Sequence, residues 1–266
     1  MSARSKNLGR ALLAVFAMVL GVHTANAENT LEKILSAKKI RVAIDVANPP
    51  FGILDKSGQP DGSDVAVARQ LAKDMGAEIE FVQVPSTGRI PALLAGRADV
   101  TIASISVTTD RAKAVMYCNP NGALVITIFA PQSVKIKTPA DLVGKRVGIT
   151  RATLEEATVP KMAPEGMKIV WFDDLASTVQ ALLSGQVDAA AMTSFAEKTV
   201  ADANPAKQLE NKLVVTTAFY GPIVRQNDFE LRQWINTWLF VNAHNGTLAT
   251  IYKKYTGTDL PPLPTF

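Results

Sequence analysis

Ser86 to Arg111 reads STGRIPALLAGRADVTIASISVTTDR, and the rest of the chain is organised around it. Ile90, Leu93 and Leu94 recur at i, i+3 and i+4, which gives one apolar helix face, and Gly96 ends that helix. Val100 to Ala103 is a short apolar run suited to a central strand. The chain then turns polar at once with Ser104, Ser106, Thr108, Thr109, Asp110 and Arg111. Hydroxyls and a guanidinium at the carboxyl end of a buried strand suit a small anion, and ligands of open α/β sheets bind at that end.

The stretch has an echo. Ala92 to Ser104, ALLAGRADVTIAS, returns 89 residues later as ALLSGQVDAAAMT, Ala181 to Thr193. Helix, glycine turn, aspartate, apolar strand and hydroxyl recur in register. A second pair precedes it: Ile40 to Asp45 (IRVAID) is similar to Arg146 to Thr150 (RVGIT). The chain therefore reads as two similar α/β halves, each ending a strand in polar residues. Two such halves facing each other make a cleft.

Residues 1–27 stand apart. Arg4, Lys6 and Arg10 precede an apolar run of twelve, Ala11 to Val22, and a small-x-small site at Ala25-Asn26-Ala27. That is the pattern of a cleaved secretory signal peptide, too short for a good membrane span. No cysteine follows the cleavage site, so a soluble periplasmic protein is expected. The leader carries three basic residues and no acidic ones, and the remainder is near neutral at +1. No basic stripe points to nucleic acid. Cys118 is the only cysteine and His244 the only histidine beyond the leader. An internal disulfide, a His-rich metal site and a Cys/His zinc cluster are thereby excluded. His244 lies in an apolar helical stretch and reads as structural.

In chain order, Leu31 to Ala37 is a lead-in helix and Ile40 to Asp45 the first strand. Pro49 and Pro50 make a rigid turn. Ser63 or Asp64 is expected to cap the next helix, which buries Val65, Ala68, Leu71, Ala72 and Met75 and ends at Gly76. Ile79 to Val84 is a strand. Ala123 to Ala130 is a long apolar run able to cross between halves. Thr138-Pro139 starts a helix, Thr153 and Asp174 start two more, and Leu213 to Thr217 with Pro222 to Arg225 carry the chain back. Leu231, Trp234, Ile235, Trp238 and Leu239 form an ordinary core stripe. The expected lobes are residues 28–124 plus 220–266, and residues 125–219.

IRVAIDVANPPFGILDKSGQPDGSDVAVARQLAKDMG, then RIPALLAGRAD, then SISVTTDR, resembles the periplasmic polar amino-acid-binding proteins of ABC importers, solute-binding protein family 3. The resemblance implies the type II periplasmic-binding-protein fold: two α/β lobes, a two-segment hinge, one small polar amino acid or related carboxylate, a membrane permease as partner, no cofactor and a monomer. It implies that Arg111 clamps the ligand α-carboxylate, with a planar fork that suits a carboxylate. Ser104 and Ser106 match residues that hydrogen-bond the same ligand. Asp45 matches an acid that faces a ligand amine in several members, and Thr153 a hydroxyl at a helix start. Ser86 and Arg89 before Ile-Pro are similar to glutamate/aspartate-binding members, where they hold the ligand's side-chain carboxylate. Thr193 stands where the family commonly has an acid for the ligand ammonium, which leaves Asp45 or Glu155 for that charge. Asn48, Ser86 and Asn121 stand where aromatic rings often sandwich the ligand, so a polar pocket is expected. Acidic, amidic and other carboxylate ligands stay open.

The same fold serves a cyclohexadienyl dehydratase, in which Glu155 would be a general acid. A sensory protein acting through a partner is a third reading, since no transmembrane or signalling segment follows in this sequence. The binding protein is the expectation, and no catalytic residue is assigned.

Overall fold

The computed structural model describes residues 29–265, so the expected leader lies outside the described residues. Helix α1 (Thr30–Ala37) opens with a capping box between Asn29 and Glu32 and leads into β1 (Lys39–Ile44). A small hairpin, β2 (Ile53–Leu54) and β3 (Pro60–Asp61), precedes α2 (Ser63–Met75). Neither Ser63 nor Asp64 caps that helix, contrary to the sequence pattern. The N-cap is Gly62, at φ 118°. A Cβ there would stand 2.4 Å from the Phe51 carbonyl oxygen, so the close approach of the 49–51 turn demands glycine. Ser63 and Asp64 are instead buried in the first helical turn.

The chain continues through β4 (Glu78–Gln83), α3 (Arg89–Leu94), β5 (Val100–Thr101), β6 (Val115–Tyr117) and β7 (Gly122–Pro131). Next come β8 (Arg146–Thr150), α4 (Leu154–Met162), β9 (Lys168–Phe172), α5 (Leu175–Ser184), β10 (Ala189–Thr193) and α6 (Ser194–Ala203). It ends with β11 (Leu209–Tyr220), β12 (Ile223–Arg225), α7 (Phe229–His244) and α8 (Thr247–Thr256). The helix start at Thr138-Pro139 yields a single 3-10 turn, Pro139–Leu142.

Two five-stranded sheets result, ordered β4-β1-β5-β12-β6 and β11-β7-β10-β8-β9. The β1/β4, β1/β5, β8/β9 and β8/β10 pairs are parallel. Strands β7 and β11 pair antiparallel from Gly122 opposite Tyr220 to Pro131 opposite Leu209. Both passages between the lobes thus run side by side, two-stranded from Gly122 to Val125, before β7 takes β10 as its other neighbour from Ile126 on. Helices and sheet of the first lobe enclose Ile40, Val42, Ile44, Val65, Leu71, Ile235 and Leu239. The second encloses Ile128, Val147, Ile149, Val159 and Ala189.

The echoed aspartates do the same work in each half. Arg41 donates to Asp99 from Nε at 3.2 Å, Nη2 at 2.5 Å and its backbone N–H at 2.9 Å, and Nη1 reaches Gly96 O at 2.8 Å. Arg146 donates to Asp188 from Nε at 3.2 Å, Nη2 at 2.8 Å and its backbone N–H at 2.8 Å, and Nη2 reaches Gly185 O at 2.9 Å. Each forked, charge-assisted pair fastens the glycine turn to the echoed strand of its lobe, β1 or β8.

Cys118 is buried, and burial pushes its thiol up to about 12, which leaves it inert. His244 is exposed at the end of α7, with Nδ1 2.7 Å from Phe240 O. Among the described residues no helix is long and apolar enough to cross a membrane, and no His/Cys/Asp/Glu group is placed to hold a metal.

Candidate ligand site

The loops after β1, β4, β5 and β8 and the end of β10 converge on one cavity of about 40 Å³ between the lobes. That is room for about three closely held waters. A wider groove of about 400 Å³ adjoins it outside and shares Ser86, Arg89, Arg111, Thr153 and Leu154 with it.

Ser86, Arg89, Ser104, Ser106, Arg111, Thr153, Glu155 and Thr193 all line the inner cavity. Residues from four separate places in the chain, after β4, after β5, after β8 and at the end of β10, are thus brought together. Asp45 is the exception. It is buried behind Ser86, accepting from Ser86 Oγ at 2.7 Å and from the Ala47 N–H at 3.0 Å. Asn48 and Ser86 line the cavity, whereas Asn121 is buried away from it. No aromatic ring is among the lining residues, and Leu124, Ile126, Leu154, Leu175 and Ala196 supply the apolar wall. Phe51, Tyr220, Phe195 and Tyr252 pack edge-on in a neighbouring cluster.

Arg89 is only 4% exposed and is held by three backbone carbonyls. Its Nε donates to Ser86 O at 3.0 Å, Nη1 to Ala103 O at 3.0 Å and Nη2 to Ala152 O at 2.8 Å. Arg111 donates from Nη1 to Ser106 O at 3.1 Å and from Nη2 to Ala152 O at 3.0 Å. Two guanidiniums from the first lobe therefore meet on one carbonyl of the second. A backbone carbonyl has no signature in sequence, so Ala152 was not foreseeable. Ala152, at φ 58°, and Ser104, at φ 46°, both hold left-handed backbone without being glycine. Such a conformation costs roughly 1–2 kcal/mol per residue. Each is tied down: the Ala152 N–H donates to Glu156 Oε2 at 2.6 Å, and Ser104 Oγ accepts from Asn48 Nδ2 at 2.9 Å. Thr153 caps α4 as its sequence suggests, accepting from the Glu156 N–H at 3.4 Å and donating to Thr150 O at 2.7 Å.

Among the described residues neither Arg89 nor Arg111 makes an ion pair. Burial pulls Arg89 down to about 10, so it stays charged at neutral pH. Glu155, 7% exposed, has its carboxyl raised by burial. The cavity thus holds two guanidiniums and one carboxyl. Charge removed from water is costly without a counter-charge, so a negatively charged group suits the two guanidiniums.

Two α/β lobes joined by a paired ribbon, closing on a small polar cavity at the carboxyl ends of their strands, define a two-lobed solute-binding protein. Residues 40–258 match the bacterial extracellular solute-binding proteins, family 3, and the chain belongs to that family. It is 28% identical over 82% of its length to a probable histidine-binding protein of Neisseria gonorrhoeae, covering 83% of that protein. It is 29% identical over 94% of its length to the ABC transporter glutamine-binding protein GlnH of Bacillus subtilis (strain 168), covering 96% of it. Among solved structures it is similar to the ancestral amino-acid-binding protein AncCDT-1, a precursor of cyclohexadienyl dehydratase, at 32% identity and TM-score 0.76, covering 86% of this chain and 99% of that one. The resemblance read from the sequence holds over nearly the whole described chain.

Proposed function

We propose that the protein is exported to the periplasm, captures one small polar amino acid or related carboxylate between its lobes, and delivers it to the permease of an ABC importer. The observation that carries this is a pair of guanidiniums on a small cavity, Arg89 buried and Arg111 half-buried, both free of ion pairs among the described residues. Arg111 takes the α-carboxylate with the Ser104 and Ser106 hydroxyls. Thr153 and the first turn of α4 add donors from the second lobe, where helix N-termini favour anions. Glu155 faces the ligand ammonium, because Thr193 carries no charge and Asp45 is engaged by Ser86. Arg89 serves a second acidic group. Residues 28–124 with 220–266 close against residues 125–219 by bending of the β7/β11 ribbon. The protein works as a monomer without altering its ligand.

A thermal-shift panel of amino acids and organic acids tests the reading. A ligand present at 100 times its Kd stabilises by about 2.7 kcal/mol. For a chain of this size that raises Tm by several degrees. A panel in which nothing binds refutes it. One observation favours a second reading: Glu155 is a carboxyl buried at the cavity, and burial raises it, the direction a general acid needs. Formation of an aromatic product from prephenate or arogenate would establish the enzyme instead.

A further inference from the structure

Asp64, in the first turn of α2, is 2% exposed, and neither of its carboxyl oxygens has a formed hydrogen bond. Ser63 Oγ and Asn121 Oδ1 are buried in the same condition. Buried polar atoms without partners are rare and call for a specific cause. The Asp64 carboxyl faces the Ser104 backbone N–H and the Asn121 amide, neither close or straight enough to count as bonded. The charged or titratable groups facing it are Arg89 from α3, Asp45 from the end of β1 and Tyr220 from the end of β11.

Both polar neighbours matter to ligand capture. Ser104 lines the cavity in left-handed backbone, and the carbonyl before it, Ala103 O, holds Arg89. Asn121 immediately precedes Gly122, the first residue of β7, and its N–H donates to Tyr220 O at 3.0 Å. That rung is where the ribbon leaves the first lobe. The α2 end is itself fixed, since the Asp64 N–H donates to Phe51 O at 2.9 Å and the Ser63 N–H to Pro50 O at 3.1 Å.

We propose that Asp64 is a positioning residue for ligand capture. Its carboxyl anchors the Ser104 turn and the Asn121 passage to one rigid helix start, so the ligand's hydroxyl donors and the bending ribbon share a single support. The carboxyl accepts, and the two groups that face it, the Ser104 N–H and the Asn121 side-chain amide, are donors. Burial is the main reason this carboxyl is raised, to about 7, with Arg89 opposing and Asp45 assisting. The inference rests on the cavity being the ligand site.

The test uses Asp64→Asn and Asp64→Ala in the full mature chain. Hydrogen exchange on the protein without added ligand is the first measurement. Asp64→Ala is expected to speed exchange at least tenfold at Ser104 to Ser106 and at Asn121 to Gly122, with β8 and β9 unchanged. Wild-type rates in both segments overturn the proposal whatever the ligand proves to be. Calorimetry with the best amino acid from the thermal panel is the second. Asp64→Ala is expected to bind at least tenfold more weakly than wild type at pH 7. Asp64→Asn, which keeps one acceptor oxygen, is expected to lose at least threefold but less than Asp64→Ala. Wild-type affinity in Asp64→Asn overturns the role in capture, and that variant serves alone if Asp64→Ala does not fold. Normal exchange changes in a protein that binds nothing would sink the ligand reading and leave the anchoring intact.

Discussion

Arg111→Ala tests the proposed clamp on the ligand carboxylate. Among the described residues the Arg111 guanidinium has no ion pair, and it donates to Ser106 O at 3.1 Å and to Ala152 O at 3.0 Å. Removing it takes away a forked, charge-assisted contact to the ligand carboxylate and one hydrogen bond that draws the lobes together. Truncating one partner of a buried charge pair costs about 2–5 kcal/mol. The lost cross-lobe bond adds about 0.5–1.5 kcal/mol in the same direction. The charge effect dominates, and by itself it weakens binding about 30-fold to about 5,000-fold. Ser106→Ala supplies the scale, since a neutral hydrogen bond is worth only about 0.5–1.5 kcal/mol. Arg111→Lys keeps the charge without the fork and falls between the two. Isothermal calorimetry of the three variants against one ligand gives the ranking. Unchanged affinity in Arg111→Ala, or a loss no larger than that of Ser106→Ala, refutes the clamp.

Arg89→Ala is expected to weaken glutamate and aspartate more than glutamine in parallel titrations. Equal losses would reduce Arg89 to a staple between Ala103 O and Ala152 O. Glu197, buried in α6 against Thr127 and Asn211, is raised by burial to about 7. Its folded value lies above its unfolded one, so its contribution is full below about pH 4.5 and is lost as pH rises through 7. Chemical denaturation of Glu197→Gln is expected to show a shallower fall in stability over that window than wild type, and parallel curves would contradict it. Gly62→Ala forces a Cβ to 2.4 Å from the Phe51 carbonyl oxygen at φ 118°. It is expected to destabilise by more than about 1 kcal/mol in a thermal melt, whereas Gly58→Ala, with nothing within 4 Å at φ 77°, carries the backbone cost alone. Equal Tm losses would show that the clash is relieved.

Sequence alone determined the parts that depend on neighbours in the chain. Periodicity places the buried faces of α2 and α7, and glycine and hydroxyl signals place the end of α2 and the starts of α4 and α5. The echo at a spacing of 89 residues gives the two-lobed plan, and the polar run after β5 gives the site. These signals work because burial and capping act over one to four residues. Tertiary structure decided the rest. Arg41 meets Asp99 across 58 positions through the order of strands in one sheet, and Arg111 meets Ala152 across 41 because the two lobes face each other. It also set Asp45 behind Ser86, made Gly62 the helix cap, and left Asp64 buried without a bonded partner. The physical reason is that burial of a charged group, and the partner it then needs, is a property of the packed interior rather than of the residue's own stretch of chain.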